Sequence, residues 1–326
     1  MQLATKDTPL IIADYDADGY DYRSHWKNRA YEQWAESYVL RRLLTGIGEG
    51  EWIIDLGGGF GRNTIHYYQR AEHSVIVDYS TGNLQHAASL YRREVENGKI
   101  FLIRADLYHL PFIDGAFDVG LTIRVLHHMA QVESALKEMG RVIGQEWLLD
   151  VPIKHHIFAR IRGLMHHEES KLSTWEPRIL GTDDTPFVSF HLSMVRQLLA
   201  RYGWDNCVVA SVNNFRRWDQ VLPVWGRAGL RPLVYGLEKV AQRLGKGWWG
   251  PSQFVHATRH TPLLAQTPVS SLPQTHANSP MLEELATKMV CPICRGPLHW
   301  SRDAAYCQNC AREYLRSGLM WDFVAK

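Results

Sequence analysis

Between residues 50 and 260 the chain alternates short apolar runs with amphipathic stretches of helical period. The apolar runs are WIIDL (52–56), SVIVD (74–78), IFLIRAD (100–106), FDVGLTI (117–123), EWLLDVP (146–152), NCVVASV (206–212) and QFVHATR (253–259). Stretches such as VESALKEMGRVI and LSMVRQLLARYG separate them. Seven apolar strands with helices between them predict an α/β fold, a mostly parallel seven-stranded sheet with helices on both faces. Ahead of the sheet, SHWKNRAYEQWAESYVLRRLL has helical periodicity, with Trp26, Tyr31, Trp34 and Tyr38 as aromatic landmarks. Behind it, residues 261–280 are rich in Pro, Ser and Thr and carry no charge apart from one His. That is linker composition. The expected organisation is a large domain at 1–260, a linker at 261–283 and a small module at 284–326.

Composition narrows the classes. A chain of 326 residues, 45% hydrophobic and 21% charged, is long enough for one large domain and a small one. A formal net charge of +2 is too small to imply a nucleic-acid or membrane partner by itself. The opening MQLATKDTPLII has no signal-peptide core, and no run approaches the ~20 apolar residues of a membrane span. Paired thiols without a secretion signal favour a reducing compartment. A cytoplasmic protein without a membrane span is expected.

IIDLGGGFGRN sets a glycine-rich turn directly after the first strand, where backbone can approach a ligand with no Cβ in the way. A nicotinamide fingerprint needs G-x-G-x-x-G, but from Gly57 and Gly59 its third glycine falls on Arg62. What fits is D-x-G-x-G-x-G: Asp55, Gly57, Gly59 and Gly61. This run resembles motif I of class I S-adenosylmethionine-dependent methyltransferases, of the broad type that acts on small acceptors. VIVDYSTGNLQHA, IRADLYHLPFIDGAFDVGLTIRVLHHM and ALKEMGRVI continue the resemblance in order across residues 50–150. One departure is RVIGQEW, where the family usually has a Pro-Gly-Gly turn before the fifth strand.

The resemblance implies a Rossmann-like sheet and S-adenosyl-L-methionine as cofactor. It implies Asp55 near the cofactor's ammonium, the loop glycines against its amino-acid part, Asp78 at the ribose and Asp106 at the adenine. Tyr79, Leu107 and Arg124 complete the implied contacts, and residues 1–48 become a helix and lid over the cofactor.

The acceptor belongs beyond the carboxyl ends of the fourth and fifth strands. His127 and His128 follow the fourth strand, and are the catalytic candidates: one can serve as general base, or both can cap a turn and pack. TIRVLHHM lacks the Pro-Pro-aromatic tetrapeptide of adenine-amino methylation. Cys207, in an apolar run, is expected to be a buried thiol. DYDADGYDYRSH matches half a calcium loop, but position 25 holds His in place of the bidentate Glu. His155, His156, His166 and His167 lack metal-ligand spacing and are expected in an exposed or acceptor-lining insertion. Leu230, Leu233, Leu237, Val240 and Leu244 form one apolar stripe, started by Pro232 and stopped by Gly245. A core-facing helix with a solvated basic back is expected there. An acceptor lid, an RNA-facing surface and a membrane-interface helix are the functional alternatives.

Four of the five cysteines lie in CPICRGPLHWSRDAAYCQNC as two Cys-x-x-Cys pairs: Cys291, Cys294, Cys307 and Cys310. Four thiolates at this spacing suit a closed structural Zn²⁺ site with no open position for catalysis. Rubredoxin-type iron is disfavoured, because Arg295 and Ala311 follow each second cysteine in place of glycine. The segment from CPICRGPL through CQNCAREYLRSGLMWDF resembles the zinc-ribbon activator subunit of tRNA and protein methyltransferases. That implies a ribbon docking on a methyltransferase domain, here its own. From residue 286 onward six Lys or Arg face three Asp or Glu; four thiolates and Zn²⁺ subtract two, leaving about +1. That is a weak nucleic-acid footprint. The expected function is methyl transfer to a small aromatic or lipophilic metabolite. The alternatives are an RNA methyltransferase that uses the ribbon for recognition, and an inactive cofactor-binding scaffold.

Overall fold

The computed structural model describes residues 16, 22–27, 29–47, 50–167, 169–180, 187–216, 224–263 and 280–324. All seven expected strands are present: β1 (Gly50–Leu56), β2 (Ala71–Asp78), β3 (Ile100–Arg104), β4 (Phe117–Thr122), β5 (Ile143–Pro152), then β8 (Trp204–Val212) and β9 (Ser252–Arg259). Between β5 and β8, β6 (Arg178–Leu180) and β7 (Phe187–Ser189) form a separate hairpin. Four more strands follow: β10 (Leu298–Trp300), β11 (Ala304–Cys307), β12 (Glu313–Ser317) and β13 (Met320–Asp322). The main sheet runs β10-β11-β12-β13-β3-β2-β1-β4-β5-β9-β8. Neighbours from β13 through β5 pair in parallel. β9 is antiparallel to both β5 and β8.

The sheet therefore has eleven strands, not seven. β13 pairs in parallel with β3, Met320 opposite Leu102 and Asp322 opposite Arg104. It covers what would be an open edge of unpaired backbone donors and acceptors. A three-residue strand whose partner lies more than two hundred positions away leaves no periodicity to read in the sequence.

Both faces of the sheet are covered. Along β1, Trp52, Ile54 and Leu56 pack with Leu136, Met139, Val195 and Leu199 from the helices Val132–Arg141 and Leu192–Arg201. Ile53 faces Ala35, Val39 and Leu40 of the helix Ala30–Leu44. A strand buried on both sides reads as a continuous apolar run, which is why these strands were legible. β5 forms in full despite its unusual approach. Gly144 lies so close to the Leu263 carbonyl that a Cβ would meet it at 2.8 Å.

Two expectations fail. Cys207 is exposed, because β8 is an edge strand whose first half is only partly covered. The leucine stripe faces outward too. The helix Val224–Leu244 carries Pro232 in its interior and buries Val234, Glu238, Ala241 and Gln242 instead. The Glu238 carboxylate accepts from Tyr31 OH at 2.6 Å and from the N–H groups of Asn213 and Asn214, each at 3.1 Å. Gln242 donates to the Ala35 carbonyl at 3.0 Å. Breaking these directional bonds inside the fold would leave several polar groups unpaired, which outweighs burial of a leucine stripe that water tolerates.

The C-terminal module shares the main core. Its helix Pro280–Thr287 starts inside the stretch expected as linker. Leu285, Met289, Val290, Trp321 and Phe323 belong to the same buried cluster as Trp52, Phe112 and Phe117. Trp52 Nε1 donates to Glu284 at 3.1 Å, and Arg295 donates to Glu138 at 2.6 Å and to the Leu110 carbonyl at 2.9 Å. No helix among the described residues is long and apolar enough to cross a membrane.

Candidate functional site

β1 and β4 flank the point where strand order reverses, and a cavity opens beyond their carboxyl ends. Such a crevice is the usual ligand site of open α/β sheets. It holds roughly 890 Å³ counted out to its open mouth, and its walls include Asp55, Gly57, Gly59, Asp78, Asp106 and Arg124. Gly57, Gly59 and Gly61 all take positive φ, between 59° and 78°. A Cβ on Gly57 would come within 2.4 Å of Val125 Cγ2, so the loop can be built only from glycine there. Gly61 does not reach the cavity; its carbonyl accepts from Tyr91 OH at 3.0 Å, and it packs the loop against that ring.

Asp78 ties the loop to β2. One carboxylate oxygen accepts from the Gly59 N–H at 2.8 Å, the other from the Ser80 N–H at 3.0 Å and Asn83 Nδ2 at 3.3 Å. Burial, despite those three donors, raises its pKa above the ordinary carboxylate range. Asp106 accepts from the Tyr108 N–H at 2.9 Å and pairs with His109 Nδ1 at 2.8 Å. Tyr79 and Leu107 also line the cavity.

Residues 54–146 match the family model described as a methyltransferase domain. The O-methyltransferase cnsE of Penicillium expansum is 30% identical over 175 residues, 51% of this chain and 62% of that protein. A demethylmenaquinone methyltransferase of Thermobifida fusca is 28% identical over 141 residues, 42% of this chain and 58% of that one. The solved structure of magnesium protoporphyrin IX methyltransferase from Synechocystis PCC 6803 with bound SAH has a TM-score of 0.50 at 15% identity. It covers 75% of this chain and 96% of that one, and bears on the fold alone. Over residues 54–146 the chain is therefore similar to methyltransferase domains. It spans less than two thirds of the length of these two curated relatives.

The cavity fits S-adenosylmethionine chemically. S-adenosylmethionine brings an ammonium, a ribose diol and an adenine, and the walls hold three carboxylates beside a Cβ-free loop. Asp55 is buried and accepts a hydrogen bond from Tyr67 OH at 2.8 Å. Burial pushes its pKa up to about 7, with the nearby Asp78 charge adding to the shift. An ammonium beside it would add to the countercharge of Arg62.

The sign of the pH effect follows. With a folded pKa of about 7 against an ordinary 3.8, the folded chain holds a proton through this window that the unfolded chain has released. This carboxyl therefore costs stability progressively as pH rises from near 4, with the full cost reached above about 7. Asp55→Asn is expected to flatten that decline and raise the melting temperature of the cofactor-free protein near pH 8, while weakening S-adenosylmethionine binding. Scanning calorimetry across that range checks it; an unchanged pH profile would refute the assignment.

Of the two candidate histidines, only His128 lines the cavity. His127 packs between His128, at 3.9 Å between ring centroids, and Phe187 at 4.9 Å. Burial, reinforced by Arg124, pushes His128 down to about 4. Its imidazole is neutral at physiological pH and a weak base. Arg124 sits in the left-handed region at φ 61°, and its guanidinium pairs with Glu36 at 3.0 Å and Glu32 at 3.4 Å. Arg62 pairs with the same Glu36. Burial opposes the Glu36 charge, but Arg62 and Arg124 outweigh it and hold its pKa low.

Tyr22, Phe60, Arg62, Asn83, Tyr108 and Met129 line the cavity without having been singled out in the sequence. Tyr108 and Asn83 sit inside the quoted landmark runs; Tyr22 lies in the aspartate-rich segment that resembled a calcium loop. There Asp16 accepts from Ser80 Oγ and the Thr81 N–H at 2.6 Å each, and from the Gly82 N–H at 3.1 Å. It caps the helix Thr81–Leu90, where an anion is favoured. Asp14, Asp18 and Gly19 fall outside the described residues. Of the other histidines, His155 is buried and stacked on His191 at 4.4 Å, whereas His166 and His167 are exposed.

The Sγ atoms of Cys291, Cys294, Cys307 and Cys310 all lie within 4.8 Å of one another. Cys291 to Cys310 is 3.6 Å and Cys294 to Cys307 is 3.3 Å. A tetrahedron with metal–sulfur bonds of ~2.3 Å has edges of ~3.8 Å, so the cluster fits Zn²⁺. Arg295 and Ala311 take φ of 60° and 56°, the conformation glycine would occupy at lower cost.

Proposed function

We propose that the chain is an active methyltransferase for a small aromatic or lipophilic acceptor, held in working form by a structural zinc ribbon fused in cis. The observation that carries the acceptor class is the apolar and aromatic part of the cavity lining. Phe60, Tyr108, Ile123, Val125 and Met129 make it up, with His128 among them. Both cavity guanidiniums, Arg62 and Arg124, are engaged by Glu36, which argues against a phosphate-reading role. The names of the curated relatives, an O-methyltransferase and a demethylmenaquinone methyltransferase, support the same class.

The cofactor, when bound, supplies a methyl group activated on a sulfonium. The chain's own residues hold and orient. Asp55 would face the ammonium, Asp78 the ribose and Asp106 the adenine, with Tyr79, Leu107 and Arg124 beside them. The described part of residues 1–48 would serve as a lid, residues 1–15 and 17–21 lying outside the described residues: Asp16 bonds the Ser80–Gly82 turn, and Tyr22 meets Phe60 edge-on at 6.0 Å. Such closure excludes water. His128, being neutral, would accept a hydrogen bond from the acceptor and orient it, with His127 supporting its ring. Most of the acceleration would come from alignment.

Cys291, Cys294, Cys307 and Cys310 would hold Zn²⁺ as a closed site that fixes the ribbon's fold. Asp322 in β13 pairs with Arg104 at 2.9 Å, and Arg104 Nε donates to the Tyr79 carbonyl at 2.8 Å. The docked ribbon would thus hold a cofactor-contact residue in place. A cytoplasmic setting belongs to the same proposal, on the strength of the paired cysteines.

Release of S-adenosylhomocysteine, measured with a panel of phenols and hydroquinones and with tRNA and rRNA, tests this. Turnover is expected on members of the first panel, with His128→Ala lowering kcat roughly ten- to a hundred-fold. Turnover on RNA alone would overturn the acceptor class. Cofactor binding without turnover on any acceptor, cell-extract small molecules and RNA included, would favour an inactive scaffold.

A further inference from the structure

The outward leucine stripe has no role in methyl transfer as described. Leu230, Leu233, Leu237, Val240 and Leu244 are each between 40% and 72% exposed. At 3.6 residues per turn they centre roughly 120° from the buried Val234–Glu238–Gln242 face. The hydrogen bonds of Glu238 and Gln242 fix that rotation, so the stripe cannot roll inward. A second helix, Ile157–Met165, starts beside the end of this segment, its Ile157 N–H bonding the Trp248 carbonyl at 2.8 Å. It buries only Ala159 and Gly163 and exposes Phe158, Ile161, Leu164 and Met165.

Charge indicates what covers these faces. From Val224 to Gly250 the sequence holds five Lys or Arg and one acid, Glu238, and that acid is fully buried. Arg231, Lys239, Arg243 and Lys246 are exposed, and no acid of the segment answers them at the surface. The second helix adds exposed Arg160 and Arg162 and no acid. Exposed leucines on a helix that also exposes cations, with Trp248 43% exposed at the helix end, are the pattern of a helix lying in a lipid headgroup layer. On the acceptor side Phe187, also exposed, packs against His127, and His127 against the cavity-lining His128.

We propose that the helix Val224–Leu244, with Trp248 and the helix Ile157–Met165, docks the enzyme on the surface of an anionic lipid bilayer. A lipophilic acceptor dissolved there would meet the cavity from the Phe187 side. Docking itself does not depend on which acceptor is methylated.

Flotation with vesicles of phosphatidylcholine and phosphatidylglycerol, against phosphatidylcholine alone, tests it on the full-length protein. The wild type is expected to float with the anionic vesicles and to be released by salt. Leu233→Glu with Leu237→Glu should lower the bound fraction at least about tenfold. Arg231→Gln with Arg243→Gln should lower it roughly tenfold on anionic vesicles only. All four positions are solvent-facing, and circular dichroism of the variants is expected to match the wild type. Failure of the folded wild type to float, or variants that float equally well, would overturn the proposal. So would a wild-type dimer in light scattering that the leucine variants dissociate without any vesicle binding, since the stripe would then belong to a second copy.

Discussion

Cutting the chain at Ser279 is expected to lower the melting temperature of the part that carries the main parallel sheet by at least about 10 °C, or to leave it insoluble. The severed module takes Leu285, Met289, Val290, Met320, Trp321 and Phe323 out of cores they share with the main sheet. Full burial of such side chains is worth about 1.5–3 kcal/mol each. Even if half of that burial is internal to the module, the loss is on the order of 5–10 kcal/mol, comparable with the whole stability of a domain. The cut also exposes the β3 edge, a template for aggregation. Cys291→Ser with Cys294→Ser, or zinc chelation, should produce much of the same effect, because Cys291 and Cys307 lie in that shared core. A truncated protein that melts and turns over like the full chain would mean that the ribbon merely hangs from its linker. Asp322→Ala separates positioning from stability: a several-fold loss of cofactor affinity with little change in melting is expected, through Arg104 and Tyr79.

The parallel sheet and the glycine loop were legible because both are local in sequence. Strands buried on both faces give unbroken apolar runs, and a positive-φ loop against Val125 can be written only with glycine. The placement of Asp55, Asp78 and Asp106 around one cavity followed from the same landmarks. What the sequence could not show is set by long-range competition. The Leu230–Leu244 stripe predicted a core-facing helix, yet Glu238 and Gln242 find partners on Tyr31, Ala35, Asn213 and Asn214, and those partners decide which face turns inward. Cys207 looked buried within an apolar run, but whether β8 is an edge strand depends on topology. His127 and His128 are neighbours in sequence, and only the turn after β4 distinguishes the one that lines the cavity.

Asp78→Ala is expected to weaken S-adenosylmethionine binding roughly a hundredfold or more. Loss of a charged hydrogen-bond partner for the ribose accounts for about 1.5–3 kcal/mol. The rest comes from the Gly59 N–H, the Ser80 N–H and Asn83, which lose their shared acceptor and with it the shape of the loop. Asp78→Asn keeps one acceptor oxygen and should lose about tenfold. Equilibrium dialysis with labelled cofactor measures both variants. Unchanged affinity in Asp78→Ala would remove this residue from the site.

Calorimetric titration of the wild-type chain with S-adenosylhomocysteine is the most direct measurement of whether the crevice beyond β1 and β4 is a working cofactor site. One site per chain is expected, with a dissociation constant of micromolar order. The affinity should fall as pH is lowered through about 7, where Asp55 takes up its proton. A folded, zinc-loaded protein that shows no binding at millimolar ligand would contradict it.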